Sequence, residues 1–197
     1  QIWVSNVSLA YRLLPMQLGV IPIVAALERR IFLDPWPFSA YVQELHFNAS
    51  ARYFVLELTD FNLVRRWWPR KSPRASLIIG YAGMRWEDEV AHISTLAVRE
   101  DWRGLGLGDL LLLSVMEEAL NYGARSVRLE VRASNVVAQS LYRKYGFEIK
   151  ARLSRYYRNG EDAYLMHVRS LDDGYRQRLE AYRDDLHDQL IVRAEGR

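Results

Sequence analysis

Apolar and polar residues repeat along this chain with two periods, and the switches between them mark its elements. Six stretches read as strands: residues 53–58, 77–86, 90–98, 126–132, 147–155 and 163–168. The clearest is 126–132, where Val127, Leu129 and Val131 alternate with Arg128, Glu130 and Arg132. Residues 8–14 read as an earlier strand. Helical spacing appears at 21–32, with Ile21, Val24, Ala25, Leu27 and Ile31 on one side, and again at 107–122 and 136–145. A short helix at 39–46 is predicted with Ser39 as its N-cap. Asp34-Pro35-Trp36-Pro37 stops the first helix, and Gly123 ends the one at 107–122. The resulting order, β-α-α-β-β-β-α-β-α-β-β, predicts a mixed α/β domain.

Beyond that unit, Tyr175, Leu179, Tyr182, Leu186 and Leu190 recur at spacings of four, three, four and four. They form one apolar stripe and predict an amphipathic helix within 171–191. A lone helix of this kind is marginal in water, so the stripe is expected to dock on the body or, as a dimer contact, on a second copy. The chain thus divides into a domain at 1–170 and a helical extension at 171–197.

Composition narrows the chemistry. The 197 residues are 50% hydrophobic with a net charge of +3, enough apolar material for a packed core and only a mild preference for anions. There is no cysteine, which excludes disulfides, cysteine nucleophiles and thiolate metal sites and favours a cytoplasmic setting. No two of the four histidines have metal-ligand spacing, so no metal is expected. The apolar stretch at 13–27 is interrupted by Pro15, Gln17 and Pro22 and is too short to span a bilayer, so neither a membrane anchor nor a signal peptide is expected. Residues 60–75 carry Arg65, Arg66, Arg70, Lys71 and Arg74 around Trp67-Trp68. Bases could stack there, but a tryptophan pair is more often a packing cluster, and no specific nucleic-acid partner is predicted.

The strongest chemical signal is Arg103-Gly104-Leu105-Gly106-Leu107-Gly108, between a strand and a helix. Glycines allow a sharp turn and close backbone approach, while free N–H groups at a helix N-terminus point at an anion. A phosphorylated cofactor is implied. The segment lacks the Gly-Lys-Ser/Thr of a Walker loop, and Asp109 stands where a dinucleotide fingerprint needs a third glycine.

Arg103-x-x-Gly106-x-Gly108 resembles the pyrophosphate-binding signature of the GNAT acetyltransferases. Leu96-Ala97-Val98 looks like that family's splayed strand. Leu129-Glu130-Val131-Arg132-Ala133-Ser134-Asn135, Leu141-Tyr142, Tyr145-Gly146-Phe147, Tyr156-Tyr157 and Gly160-Glu161-Asp162-Ala163 are similar to its ribosomal-protein alanine N-acetyltransferases, the RimI group. So is Phe32-Leu33-Asp34-Pro35-Trp36, and the likeness spans about 8–168. It departs from the group in the basic loop at 60–75 and in the C-terminal extension.

The resemblance implies a mixed, mostly antiparallel central sheet flanked by helices. It also implies an acetyl-CoA-dependent N-acetyltransferase acting on the N-terminal α-amine of a protein or peptide, possible acceptors including a ribosomal protein alanine. Leu96, Ala97 and Val98 would line the pantetheine arm, Arg103, Gly104, Leu105, Gly106, Leu107, Gly108 and Asp109 would hold the pyrophosphate, and Asn135 would touch the cofactor. Glu130 matches the proposed proton acceptor and Tyr142 the hydroxyl that protonates the departing thiolate. Phe32, Leu33, Pro35 and Trp36 on one loop, with Tyr156 and Tyr157 on another, would grip the acceptor peptide. His92, in a strand near this cleft, reads first as a satisfied strand histidine and only second as catalytic. Competing readings are acetylation of a small amine or a lysine, and a non-catalytic acyl-CoA sensor, against which the presence of both Glu130 and Tyr142 argues.

Overall fold

The structure, a computed structural model, describes residues 11–59 and 77–195, with side chains described as far as 190. The basic stretch at 60–75 lies outside the described residues.

The described strands are β1 (Tyr11–Pro15), β2 (Ala51–Leu58), β3 (Ile78–Glu87), β4 (Val90–Val98), β5 (Ser126–Arg132), β6 (Glu148–Leu153) and β7 (Ala163–Val168). They form one sheet in the order β1-β2-β3-β4-β5-β7-β6. Every neighbouring pair is antiparallel except β4 and β5, which run parallel. The helices are α1 (Ile21–Ile31), α2 (Phe38–Phe47), α3 (Leu107–Asn121), α4 (Val136–Lys144) and α5 (Asp173–Glu195). This is the mixed, mostly antiparallel α/β architecture expected above.

The sheet is covered on both faces. On one, α1 buries Ile21, Val24 and Leu27 against Tyr41 of α2 and against Tyr53, Val55 and Tyr81 of the sheet. On the other, α3 buries Leu111, Leu112, Val115 and Met116 against Ile79, Ile93, Val127 and Leu129. Alternation in β5 therefore does what a period of two requires. Val127, Leu129 and Val131 sink into the α3 side, leaving Arg128, Glu130 and Arg132 to the other face.

Helix α3 ends in a Schellman motif. Gly123 takes φ +78°, its N–H bonds to Leu120 O at 3.0 Å, and Ala124 N–H bonds to Ala119 O at 3.0 Å. Helix α2 starts one residue earlier than its sequence suggests. Pro37, extended at φ −70° and ψ 155°, occupies the N-cap position without a side-chain cap, and Ser39 lies inside the first turn. The proline ring sets the extended residue that must precede the helix, and this overrides the capping preference of serine. Of the strand expected over 8–14, residues 8–10 lie outside the described ones, and the described part is Tyr11–Pro15, one residue further than expected. The strand expected over 147–155 contracts to Glu148–Leu153, because Gly146 at φ +81° turns the chain into it and Phe147 is buried before it begins.

Helix α5 lays its stripe on this same chain. Tyr175, Leu179, Leu186 and Leu190 are all buried, Arg183 reaches Glu117 of α3 at 3.2 Å, and Tyr175 Oη donates to Tyr145 O at 2.9 Å. Each buried leucine contributes about 1.5–3 kcal/mol.

Candidate active site

The site grows out of the one parallel contact. Pairing between β4 and β5 runs Val90↔Ser126, Ala91↔Val127, His92↔Arg128 and then stops. Past that point β4 stays with β3 through Ala82↔Leu96, Tyr81↔Ala97 and Gly80↔Val98, while β5 stays with β7. The two strands part, and Leu96, Ala97 and Val98 line the β4 side of the wedge between them. A bulge in β4 accompanies the opening: Gly83 faces Thr95 and Met84 faces Ile93, so Ser94 is the extra residue. It allows His92 and Thr95 to lie on one face although three positions separate them.

At the end of the wedge the phosphate loop enters α3. Gly104 and Gly106 hold φ +76° and +85°, a left-handed turn that L side chains resist, and Gly106 is the N-cap. The first intrahelical bond is Leu110 N–H to Gly106 O at 3.1 Å, so the N–H groups of Leu107, Gly108 and Asp109 have no helical acceptor. These groups, with the positive end of the helix dipole, fit a pyrophosphate. The side chains turn away from it: Leu107 is buried, Leu105 packs on the core, and Arg103 Nε bonds back to Val98 O at 3.2 Å. Asp109 is held by Lys144 Nζ at 2.6 Å, and its carbonyl accepts from Tyr145 Oη at 3.2 Å. A bound acyl-CoA would therefore be recognised here chiefly by backbone.

Where the strands part, Glu130 stands one pleat beyond the last paired residue of β5. Its Oε2 lies 2.6 Å from His92 Nε2 across the wedge. Both side chains are mostly buried, at 18% and 16% exposure. Burial pushes the Glu130 carboxyl up, but the hydrogen bond and charge of His92, with the nearby Arg128 and Arg85, outweigh it and leave it below the ordinary carboxylate value. Glu130 is thus an ionised acceptor at neutral pH. His92, weighed mainly as a strand histidine, is its direct partner, and the other imidazole nitrogen is buried.

Tyr142 lies on α4 with its ring 5.8 Å from Phe147. Burial and the neighbouring Tyr157 raise its pKa, so the hydroxyl stays protonated and can donate. Asn135 uses its side chain as the N-cap of α4, accepting from Ala138 N–H at 3.1 Å.

The two loops expected to grip the acceptor approach from opposite sides. In the first, Trp36 turns inward: its N–H donates to Glu28, and its ring packs 5.5 Å from Tyr41 and 6.4 Å from Tyr53. Phe32 packs on the same cluster, while Leu33 and Pro35 are exposed. Glu28 is 2% exposed and also accepts from Tyr41 Oη and Thr95 Oγ1, so one buried carboxyl joins α1, the loop, α2 and β4. In the second loop, the Tyr156 and Tyr157 rings meet edge to face at 5.1 Å. The Glu130 charge helps to raise both phenols, Tyr157 to about 12. Burial is the larger cause for each.

Sequence reading did not single out Arg132, Asp34, Glu161 or Glu28. Arg132 reaches Asp34 Oδ2 at 2.7 Å and Glu161 Oε2 at 2.8 Å, with its guanidinium 3.7 Å over the Tyr157 ring. The available signal was the strand alternation that puts Arg132 on the same face as Glu130. Among the described residues no cluster of acidic and histidine side chains could hold a metal ion, and no helix is long and apolar enough to cross a membrane.

A glycine turn feeding a helix, a parted parallel strand pair and a carboxylate at the parting fit the acyl-CoA-dependent acyltransferase that the sequence resemblance implies. Comparison with known proteins agrees: residues 21–147 match the acetyltransferase (GNAT) family. The chain belongs to that family. It is 33% identical over 154 residues to a Bacillus subtilis (strain 168) protein provisionally named a ribosomal protein bS18-alanine N-acetyltransferase, covering 78% of this chain and 91% of that one. It is 32% identical over 160 residues to an N-alpha-acetyltransferase of Sulfurisphaera tokodaii, covering 79% and 91%. In fold it resembles the Escherichia coli ribosomal-protein-S18-alanine N-acetyltransferase, with a TM-score of 0.66 at 23% identity over 82% of this chain and 96% of that one.

Proposed function

We propose that the protein transfers an acetyl group from acetyl-CoA to the N-terminal α-amine of a protein or peptide by direct attack. The observation that carries this reading is the Glu130–His92 pair at the point where β4 and β5 part. Acetyl-CoA supplies the acetyl group as a thioester. Glu130, directly or through a water, accepts a proton from the incoming ammonium, freeing the nitrogen lone pair to bond to the acetyl carbon as the C–S bond breaks. Tyr142 donates its hydroxyl proton to the sulfur that leaves, and the second proton, shed by the new amide nitrogen, restores the phenol. His92 orients the carboxylate and keeps it ionised. With no cysteine in the chain, no thiol can carry the acetyl group between the two substrates.

An α-amine suits this base. It titrates near 8, roughly two units below a lysine, so a carboxylate of depressed pKa faces a smaller uphill transfer. The loop at Tyr156-Tyr157 offers hydroxyls and ring faces to an extended backbone, and across from it the Phe32–Trp36 loop exposes Leu33 and Pro35. The names of the two relatives support the same acceptor class, and a ribosomal protein beginning with alanine is the first to try.

The test is competition between two peptides: one starting with alanine and carrying blocked lysines, the other with a blocked N-terminus and one free lysine. The first is expected to be acetylated faster. Faster acetylation of the second would overturn the α-amine assignment.

A further inference from the structure

The loop carrying Phe32–Trp36 is anchored at one end only by its own half of the molecule. Glu28 holds the Trp36 N–H, and Tyr41 and Tyr53 hold its ring. The Leu33–Asp34 end is instead tied across the cleft. Asp34 Oδ2 meets the guanidinium of Arg132 at 2.7 Å, although 98 positions separate the two residues.

That same guanidinium holds the opposite loop. Its Nη1 donates to Glu161 Oε2 at 2.8 Å and to Asn159 Oδ1 at 3.2 Å, and its plane lies 3.7 Å over the Tyr157 ring. The second loop is braced behind these contacts. Glu161 Oε1 accepts from Ser134 N–H at 3.1 Å and from Ser134 Oγ at 2.6 Å, and Tyr157 N–H bonds Glu161 O at 3.1 Å. Arg132 is 14% exposed and sits on β5 two residues beyond Glu130, on the same face. A planar fork with five donors can serve two carboxylates and a ring face at once, and an ammonium cannot.

We propose that Arg132 is a positioning residue, a latch that fixes the separation of the Phe32–Trp36 and Tyr156–Tyr157 loops and thereby sets how an acceptor backbone is gripped. The proposal rests on the acceptor reading above, in that these loops form the acceptor's path. Arg132 touches neither reacting atom; it acts through Asp34, Glu161 and Tyr157.

The experiment uses the full chain, the alanine-starting peptide with blocked lysines, and the variants Arg132→Lys, Asp34→Ala and their combination. Arg132→Lys keeps the charge and loses the fork. Peptide KM is expected to rise about 10- to 100-fold in Arg132→Lys, as misplaced substrate groups cost that much. The acetyl-CoA dissociation constant by calorimetry stays at the parent value, and the melting temperature moves by no more than about 5 °C. Asp34→Ala raises peptide KM in the same direction, and added to Arg132→Lys it costs less than it does alone, the mark of a shared interaction. Unchanged peptide KM in both single variants overturns the latch. So does a parallel loss of acetyl-CoA affinity and melting temperature, which would make Arg132 a general structural residue. The parent's preference between the α-amine and lysine peptides judges the acceptor reading separately. The variant-to-parent ratio on whichever peptide the parent prefers judges the latch.

Discussion

The two ends of the proposed catalytic cleft are built from different materials. At the proposed cofactor end, recognition falls to the backbone of one short run, Gly104 to Asp109, in which Leu105 and Leu107 pack into the core and Asp109 is held by Lys144. At the proposed acceptor end, the geometry rests chiefly on side chains from distant parts of the chain: Glu28, Asp34, His92, Glu130, Arg132, Tyr157 and Glu161. A backbone site constrains only the residues whose conformation it needs. A side-chain site depends on each member, so acceptor preference can drift by single substitutions while the cofactor site stays as it is.

The sharpest way to break this contrast is Glu130→Gln. Turnover is expected to fall roughly 10²–10⁴-fold, the usual span for an acid–base group, with acetyl-CoA affinity by calorimetry unchanged. Near-normal turnover would remove Glu130 from the chemistry. A control that should harm both ends alike is Leu186→Ala, whose parent side chain is 5% exposed between α5 and the body. Urea denaturation should show a loss of about 2–5 kcal/mol. At the cofactor end alone, Gly106→Val places a β-branched residue at φ +85°. Acetyl-CoA should bind about 10- to 100-fold more weakly, since such strain amounts to about 1–3 kcal/mol. Unaltered affinity in a folded variant would remove the loop from cofactor binding. Tyr142→Phe should reduce turnover about tenfold, at most the loss at Glu130, because solvent can also protonate a thiolate.

The smallest effect is a titration. In His92→Ala the hydrogen bond and charge that depress Glu130 are gone while its burial remains, so its carboxyl should titrate at higher pH by NMR. The sign follows for stability. A depressed folded pKa adds stability above the unfolded carboxylate range, lost as pH falls through the folded value, and the variant should lose that acid-side dependence. An unmoved Glu130 titration would show that His92 does not tune it.

The same division explains what the sequence disclosed. The glycine run, the alternation of β5 and the stripe of α5 are local patterns, and the sheet, the phosphate loop and the C-terminal helix follow from them. Glu130 stood out because alternation sets it apart from Val127, Leu129 and Val131. His92 was placed near the cleft, but its pairing with Glu130 was not legible, because the 2.6 Å contact joins positions 38 apart and depends on where a parallel pair ends. Arg132 and Asp34 stood within motifs that carry the resemblance, but their contact was equally silent until the fold brings them together. The start of α2 was misplaced for a local reason, the competition between Pro37 and Ser39 to set the helix boundary.

The docking of α5 also sets a timetable for making the protein. Leu179, Leu186 and Leu190 join the same core as Leu112, Val115 and Met116 of α3, yet the ribosome adds them long after residue 121. At roughly 5–20 residues per second, several seconds separate the synthesis of the helix from that of its cover. During that interval the nascent chain carries an uncovered apolar surface behind its cofactor helix. Its exposure to aggregation is therefore governed by elongation speed and by whatever shields it meanwhile, not by the stability of the finished fold.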